Sequence, residues 1–214
     1  MGGATVKEFV IETDADVTAG MEVLAKMCPR MQAAYVETGP LPLRRKPDGF
    51  AQLLNAIVGQ QVSIASAAAI WGKLENAGMV TVEACSKASE DDLRELGLSR
   101  QKIRYTQELA RAGIDFSALR EMPSDEVIKT LTAVPGIGPW TAEVYTMFSL
   151  GRADVFAPGD LALQEAAKVL YDLPERPKEK AFRVMAQDWA PWRSVAARLL
   201  WAYYAELKSR EGIR

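Results

Sequence analysis

The chain has 214 residues, 49% of them hydrophobic and 25% charged, with a net charge of −2, the balance of an ordinary globular protein. It contains no histidine, which excludes Ser–His and Cys–His nucleophilic machinery and every zinc site that needs imidazole, and its two cysteines, Cys28 and Cys85, are too few for a disulfide framework or a four-thiolate cluster. A pI near 5.4 argues against a large basic nucleic-acid footprint but leaves room for a local one made of backbone amides and a few arginines. No stretch is long and apolar enough to span a bilayer, and the N-terminus, MGGATVKEF, lacks the basic region and apolar run of a signal peptide. A reducing cytoplasm is the expected compartment, with association to the nucleoid if the source is bacterial.

In chain order, Val6 to Ile11 suits a short strand or extended arm. Helix signals start near Thr13 or Asp14 and run through Met21, Leu24, Ala25 and Cys28. Thr38 to Gly49, with three prolines and the basic triplet Arg44-Arg45-Lys46, reads as a solvated linker or, less simply, a phosphate contact. Phe50, Leu53, Leu54, Ile57 and Val58 mark an amphipathic helix that ends near Gly59-Gln60-Gln61-Val62-Ser63. Ile64 to Leu74 is an alanine-rich helix able to pack closely. Val82 to Leu96 holds two short helices, the second opened by the approximate capping box Ser89-x-x-Asp92. Leu96-Gly97-Leu98-Ser99 turns into a basic helix, Arg100 to Ala112, carrying Arg100, Lys102, Arg104 and Arg111; this is a solvated face or a nucleic-acid contact.

The centre of the chain is Val134-Pro135-Gly136-Ile137-Gly138, a tight apolar turn between two helical segments. Val127, Ile128 and Leu131 fall at helical spacing behind Ser124, a suitable N-cap with Asp125 and Glu126 in the first turn. Pro139 suits the first position of the next helix, because it has no N–H to leave unsatisfied. Two glycines permit positive φ and close approach of a partner, so helix, hairpin and helix together offer outward amides to an anion such as phosphate. The alternative is a plain loop between core helices. A dinucleotide fingerprint is excluded, since Thr141 stands where its third Gly or Ala would be and the turn follows a helix. Beyond it lie a helix from Thr141 to Leu150, a loop from Gly151 to Gly159, a helix from Leu161 to Leu170, and a turn bracketed by Pro174 and Pro177. A helix through Phe182 and Met185 follows, and after Pro191 a last helix carrying Trp192, Val195, Leu199, Leu200, Tyr203 and Leu207 on one face. The chain therefore reads as all-α.

Asp160 follows Pro158-Gly159 and opens a helix about twenty residues past Gly138. Such a residue is ordinarily an N-cap. A carboxylate held there is also fixed in orientation and can stabilise a positive charge or position a water. Trp140 and Trp201 would ordinarily be core; beside a carboxylate, two indoles also suit a flat, cationic or electron-poor ring.

V-P-G-I-G-P-W-T-A followed by D-V-F-A-P-G-D resembles the helix-hairpin-helix base-excision DNA glycosylases. I-V-G-Q-Q-V-S, L-G-L-S-R-Q-K and P-W-R-S-V-A-A-R-L-L-W resemble their alkylpurine branch, the 3-methyladenine DNA glycosylase II type. The resemblance covers about Phe50 to Tyr203. It implies a single glycosylase domain over 1–214 with two helical lobes and an active-site cleft between them. One lobe is 50–150 with the hairpin 134–138; the other combines 1–49 and 151–214. It further implies a monomer that acts on double-stranded DNA containing damaged bases, and no membrane partner.

On this resemblance Asp160 matches the catalytic aspartate, and Trp140 stands where bifunctional relatives carry a nucleophilic lysine. Trp140 and Trp201 form the base pocket, Gln61 is the wedge that fills the gap left by a flipped nucleotide, and Gly136, Ile137, Gly138 and Thr141 meet the DNA. Main-chain carbonyls of Thr132, Val134 and Ile137 match a site for a structural Na+ or K+; no cofactor is required and no iron–sulfur cluster is expected. The implied activity is hydrolysis of the N-glycosidic bond without strand cleavage. Several departures accompany the match. With only about fifty residues ahead of Phe50 in this sequence, the N-terminal β domain of longer bacterial enzymes is not expected; the wedge is Gln rather than apolar, and Val144 and Leu161 match the positions of two pocket tyrosines. A non-catalytic helix-hairpin-helix module and an all-α protein-interaction domain remain as alternative readings.

Overall fold

Short polar side chains set most of the helix starts. In the computed structural model, which describes residues 8–210 and Gly212, Thr13 caps α1 (Asp14–Met27) in a reciprocal box with Asp16. The Thr13 amide donates to Asp16 Oδ2 at 2.9 Å and the Asp16 amide to Thr13 Oγ1 at 3.3 Å. Cys28 breaks the helix in extended backbone, and Pro29 restarts it as α2 (Pro29–Thr38), an element the hydrophobic spacing leaves unassigned. The chain divides into two compact units: one made of residues up to Arg45 together with those from Thr146 onward, the other of Lys46–Tyr145.

The continuous unit contains α3 (Phe50–Gly59), α4 (Ile64–Asn76), α5 (Val82–Lys87), α6 (Glu90–Glu95), α7 (Arg100–Arg111), α8 (Phe116–Leu119), α9 (Ser124–Thr132) and the first part of α10 (Pro139–Phe148). Thr81, Ser89, Ser99 and Asp115 each accept a backbone amide as N-cap, and Ser89 with Asp92 completes the expected capping box. The core is the apolar face of α3 (Phe50, Leu53, Leu54, Ile57, Val58) with Leu74, Cys85, Leu93, Ile103, Leu109, Val127 and Leu131. Burying each large aliphatic side chain contributes roughly 1.5–3 kcal/mol. Three local expectations change. Ser124 is the first helical residue rather than the cap, which is Pro123. On α4 only Leu74 is buried, so its alanines line a surface and do not mediate close packing. On α7 Lys102 is turned inward and buried, which removes it from any basic surface.

The other unit is built from α1, α2, the end of α10, α11 (Leu161–Leu170), α12 (Glu179–Met185), a 3-10 turn Ala186–Trp189 and α13 (Arg193–Arg210). Helix α13 packs on α1, α2 and α11, and its first turns are buried from Ser194 to Leu200. The N-terminal arm is extended: the Ile11 amide donates to Gly151 O at 2.7 Å, the Ala153 amide to Phe9 O at 3.0 Å, and Val10 bridges Arg152 antiparallel. Val6 and Lys7 of the expected arm lie outside the described residues. This isolated bridge aside, no strand forms among the described residues, in keeping with the all-α expectation. Gly151, at φ +75, is required here, because a side chain would meet Ile11 O and the Arg45 guanidinium. The expected solvated linker is in fact tied down: Arg45 Nη1 donates to Phe148 O at 3.1 Å and Ser149 O at 2.8 Å, and Leu41 is buried. The carbonyls at the C-terminal end of α10 need donors, and a guanidinium supplies them.

Candidate functional site

The hairpin belongs to the continuous unit. After α9 the Val134 amide donates to Leu131 O at 3.1 Å, and the Ile137 amide to Val134 O at 3.0 Å closes the turn. Gly136 has φ +94, and a Cβ at that position would overlap the ring of Tyr105 from α7. Gly138 lies outside the positive-φ region, so of the two freedoms the glycines permit it uses only the open approach: nothing stands within 4 Å of a Cβ built there. Gly136 thus serves the turn itself, whereas Gly138 leaves room for something outside it. Val134 and Ile137 point inward, Pro135, Gly138 and Pro139 are exposed, and Trp140 is 47% exposed. The Thr141 side chain is buried, so it offers a partner only its amide, in the first turn of α10.

Gln61 is brought to the hairpin by its neighbour, since Gln60 Nε2 donates to Gly136 O at 2.9 Å. Gln61 itself is exposed at φ +54, a left-handed conformation that costs a non-glycine residue about 1 kcal/mol or more and is kept only where surroundings impose it. Those surroundings include Lys102, whose Nζ donates to Val58 O at 2.6 Å at the negative end of α3 and whose pKa is pushed down by burial. Val62 and Ile64, just beyond, are exposed, Ile64 to 91%.

The carbonyls of Thr132, Val134 and Ile137 lie on this same short turn. Thr132 Oγ1 is turned back onto α9, donating to Ile128 O at 2.8 Å, so any ligand atom Thr132 supplies is its main-chain oxygen. Neutral carbonyl oxygens of this kind fit a hard cation of low charge. Among the described residues no group of three or more His, Cys, Asp or Glu side chains could hold a metal ion.

Asp160 belongs to the other unit, on a loop fixed at several points. Arg193 grips Asp154 with two hydrogen bonds, 2.7 and 2.9 Å, the Ser194 amide donates to Ala153 O at 2.8 Å, and buried Gln164 donates to Pro158 O at 2.7 Å. Val155, Phe156 and Ala157 are buried between these anchors. Asp160 then caps α11: its Oδ1 accepts the amides of Ala162 at 2.9 Å and Leu163 at 3.0 Å. The capping role and the fixed, half-buried carboxylate are thus one arrangement, at the positive end of a helix dipole. Leu161 beside it is 61% exposed and Val144 is half-buried.

Trp201, in the same unit as Asp160, is half-buried, with its ring 5.6 Å from that of Phe148. The Arg44 guanidinium lies 5.7 Å from the Trp201 centroid, and that of Arg198 lies 4.8 Å from the Phe148 centroid. Arg198 is fully buried, donating to Leu43 O, Ser194 O and Ser194 Oγ. Burial first, then the charges of Arg44 and Arg45, push its pKa down to about 10. Sequence reasoning missed Gln60, Lys102, Tyr105, Asp154, Arg193 and the placement of Arg44. Their roles depend on partners between 31 and 157 residues away, and the one signal that could have pointed to them is that Gln60, Lys102, Asp154 and Arg193 lie inside the motifs that carry the resemblance.

Residues 54–191 match the model of the HhH-GPD superfamily of base excision DNA repair proteins. The chain superposes with a TM-score of 0.82 on a crystal structure of DNA-3-methyladenine glycosidase from Bacillus halodurans, at 33% identity over 95% of each chain. It superposes with a TM-score of 0.73 on Schizosaccharomyces pombe 3-methyladenine DNA glycosylase in complex with abasic DNA, at 26% identity over 86% of this chain and 95% of that one. It is 33% identical to the YfjP protein of Bacillus subtilis over 56% of this chain, a match that spans 43% of that relative's length.

Proposed function

The chain belongs to the HhH-GPD superfamily of base excision DNA repair proteins, and we propose that it is a DNA glycosylase hydrolysing the N-glycosidic bond of alkylated purines, of the 3-methyladenine and 7-methylguanine type, in duplex DNA. The observation that carries this reading is Asp160, a carboxylate locked by two helix amides on a loop that is itself anchored through Asp154, Ala153 and Pro158. A module that only gripped DNA would need the hairpin but not a rigidly held carboxylate. The Bacillus halodurans and fission-yeast proteins, named for 3-methyladenine removal, support the same reading.

In this reading the hairpin grips and Asp160 reacts. The amides of Gly138 and of the first turn of α10 bind a phosphate, with the open space at Gly138 admitting it. Gln61 supports the stack where the damaged nucleotide is extruded. Trp140 and Trp201 offer ring faces to the base. The C1′–N bond breaks with its electron pair leaving on the purine, the Asp160 charge stabilises the oxocarbenium-like sugar, and water adds to C1′, releasing a proton. A base already cationic from alkylation leaves readily, so the absence of a histidine acid is tolerable. With Trp140 in place of a lysine nucleophile, the strand stays intact. The carbonyls of Thr132, Val134 and Ile137 would hold Na+ or K+, adding positive charge near the gripped phosphate; no other cofactor is invoked. The protein acts as a monomer in the cytoplasm.

The test is base release by the full chain from duplexes carrying 3-methyladenine, 7-methylguanine, 1,N6-ethenoadenine or hypoxanthine, with borohydride present in parallel. Release with an intact strand and no trapped adduct is expected. Duplex binding without any release would make this a DNA-binding module, and a trapped adduct would disprove simple hydrolysis.

A further inference from the structure

The turn that carries Gln61 and the hairpin belong to the same continuous unit, and a single side chain ties them together. Gln60 closes α3, its amide donating to Ile57 O at 3.2 Å, and its side chain crosses to the hairpin, where Nε2 donates to Gly136 O at 2.9 Å. Among the described residues this is the one side-chain hydrogen bond from residues 59–62 to another element, and Ser63 bonds only within α4. Helix α7 braces both ends of the link. Its Lys102 holds the last turn of α3 through Val58 O, and its Tyr105 ring, with the hydroxyl fixed by Gln101 at 2.7 Å, stands where a Gly136 side chain would go. Val58 O is the one hydrogen-bond partner of the Lys102 ammonium among the described residues, although burial penalises that charge and lowers its pKa. As a stability device the Gln60 bond is modest, because one part-buried bond between neutral groups contributes little. Beside it Gln61 is kept in left-handed backbone, which a non-glycine residue retains only where its surroundings impose it.

We propose that Gln60 is a positioning residue, whose bond to Gly136 O sets the Gln61 turn at a fixed distance from the hairpin, so that gripping the phosphate and filling the gap in the stack become one event. This rests on reading the hairpin as the grip and Gln61 as the side chain that enters the duplex. A phosphate bound at Gly138 and the first turn of α10 fixes the hairpin against the backbone. Through Gln60, that same contact places Gln61. Without the bond, the exposed turn is tethered only by its chain ends, Gln61 can withdraw from the gap, and the extruded nucleotide restacks. The loss must then follow the cost of extrusion: large for a lesion that is paired and stacked, small for one already loose in the duplex. A bond that served folding alone would cost the same on both.

Gln60→Met keeps the length of the side chain and removes the donor. Single-turnover base release is measured by the full chain and this variant on 7-methylguanine paired with cytosine and on 7-methylguanine facing an abasic site. The rate on the paired lesion should fall by about tenfold or more, the scale of a small misplacement, and the rate on the unpaired one by less than about threefold. Gln60→Glu, which sets an acceptor against Gly136 O, should show the same selective loss. Equal losses on the two duplexes, or a Gln60→Glu protein that matches wild type on the paired one, overturn the proposal. A second measurement needs no base release. The fluorescence of 2-aminopurine beside an abasic-site analogue should rise when wild type binds and unstacks it. Gln61→Ala and Gln60→Met should each reduce that rise, and the double variant should reduce it no further than Gln61→Ala, since Gln60 acts through Gln61. Additive reductions, or no rise with wild type, also overturn the proposal. A wild-type chain that releases no base from any duplex sinks the glycosylase reading alone, and the fluorescence cycle then decides the role of Gln60.

Discussion

Replacing Asp160 by Asn separates a cap from a catalyst. The carboxylate accepts two amides through Oδ1, from Ala162 and Leu163, and the Asn side-chain oxygen can accept the same pair. As N-caps Asn and Asp are close to equivalent. What disappears is one negative charge at the start of α11, worth about 0.3–1 kcal/mol against the helix dipole. For a chain of this size, 1 kcal/mol moves the melting temperature by about 2–4 °C, so the variant should melt within a few degrees of wild type. The rate should behave differently. Removing one well-placed electrostatic group typically costs about a hundred- to a thousandfold, roughly 2.7–4 kcal/mol of transition-state stabilisation. The defect should be larger on neutral hypoxanthine than on a cationic base that partly leaves by itself. The assay is single-turnover base release at matched duplex saturation, with a thermal melt of each protein. An Asp160→Asn variant that melts normally and reacts within about threefold of wild type would refute the argument, since the missing charge would then have no work in the reaction.

At the hairpin, Gly136→Ala should lower stability as well as duplex affinity, because φ +94 and the Tyr105 ring both oppose a side chain; Gly138→Ala should melt like wild type yet bind damaged and undamaged duplex more weakly, and unchanged affinity in that variant would contradict the grip assigned to it. Asp154→Asn weakens the two-bond grip of Arg193 on the loop bearing Asp160, so kcat should drop with KM little changed while stability falls by only about 1 kcal/mol; a change confined to KM would show that the pair does not position the carboxylate. Cys85 is fully buried, and burial pushes its thiol up from 9.0 to about 11, so the folded chain keeps a proton that the unfolded chain loses. The contribution of this thiol to stability is therefore complete below pH 9 and lost as pH rises toward 11. Urea midpoints measured across that interval should fall for wild type and fall less steeply for Cys85→Ala; equal slopes would rule out the thiol as the cause.

Local features were readable in the chain. Helix α3 follows from five apolar residues at helical spacing, α6 from its capping box, and the start of α10 from Pro139, because each depends on neighbours within a turn or two. Asp160 was recognisable as a cap for the same reason. The failures share the opposite cause. Arg45 looked solvated because its acceptors, Phe148 O and Ser149 O, lie a hundred residues further on. Lys102 looked like part of a basic face because nothing nearby in sequence indicates that the end of α3 needs a cation. Gly136 and Gly138 looked equivalent in the motif, and only the left-handed backbone of Gly136 and the position of Tyr105 distinguish the one that shapes the turn from the one that leaves space outside it.

The division of the chain has a consequence for the order in which it can fold. Lys46–Tyr145 is one uninterrupted segment, whereas the other unit needs residues on both sides of it. During synthesis the continuous segment is complete while α11, α12 and α13 have yet to emerge, so α1 and α2 wait without the helices on which they pack. When the later helices arrive, joining Phe9 and Ile11 to Gly151 and Ala153 closes a loop spanning most of the chain. The entropic cost of closure grows only with the logarithm of loop length, and a span already shortened by a folded insert costs less still. Substitutions in the core of α3 should therefore slow assembly of both units, and those on α13 only the second.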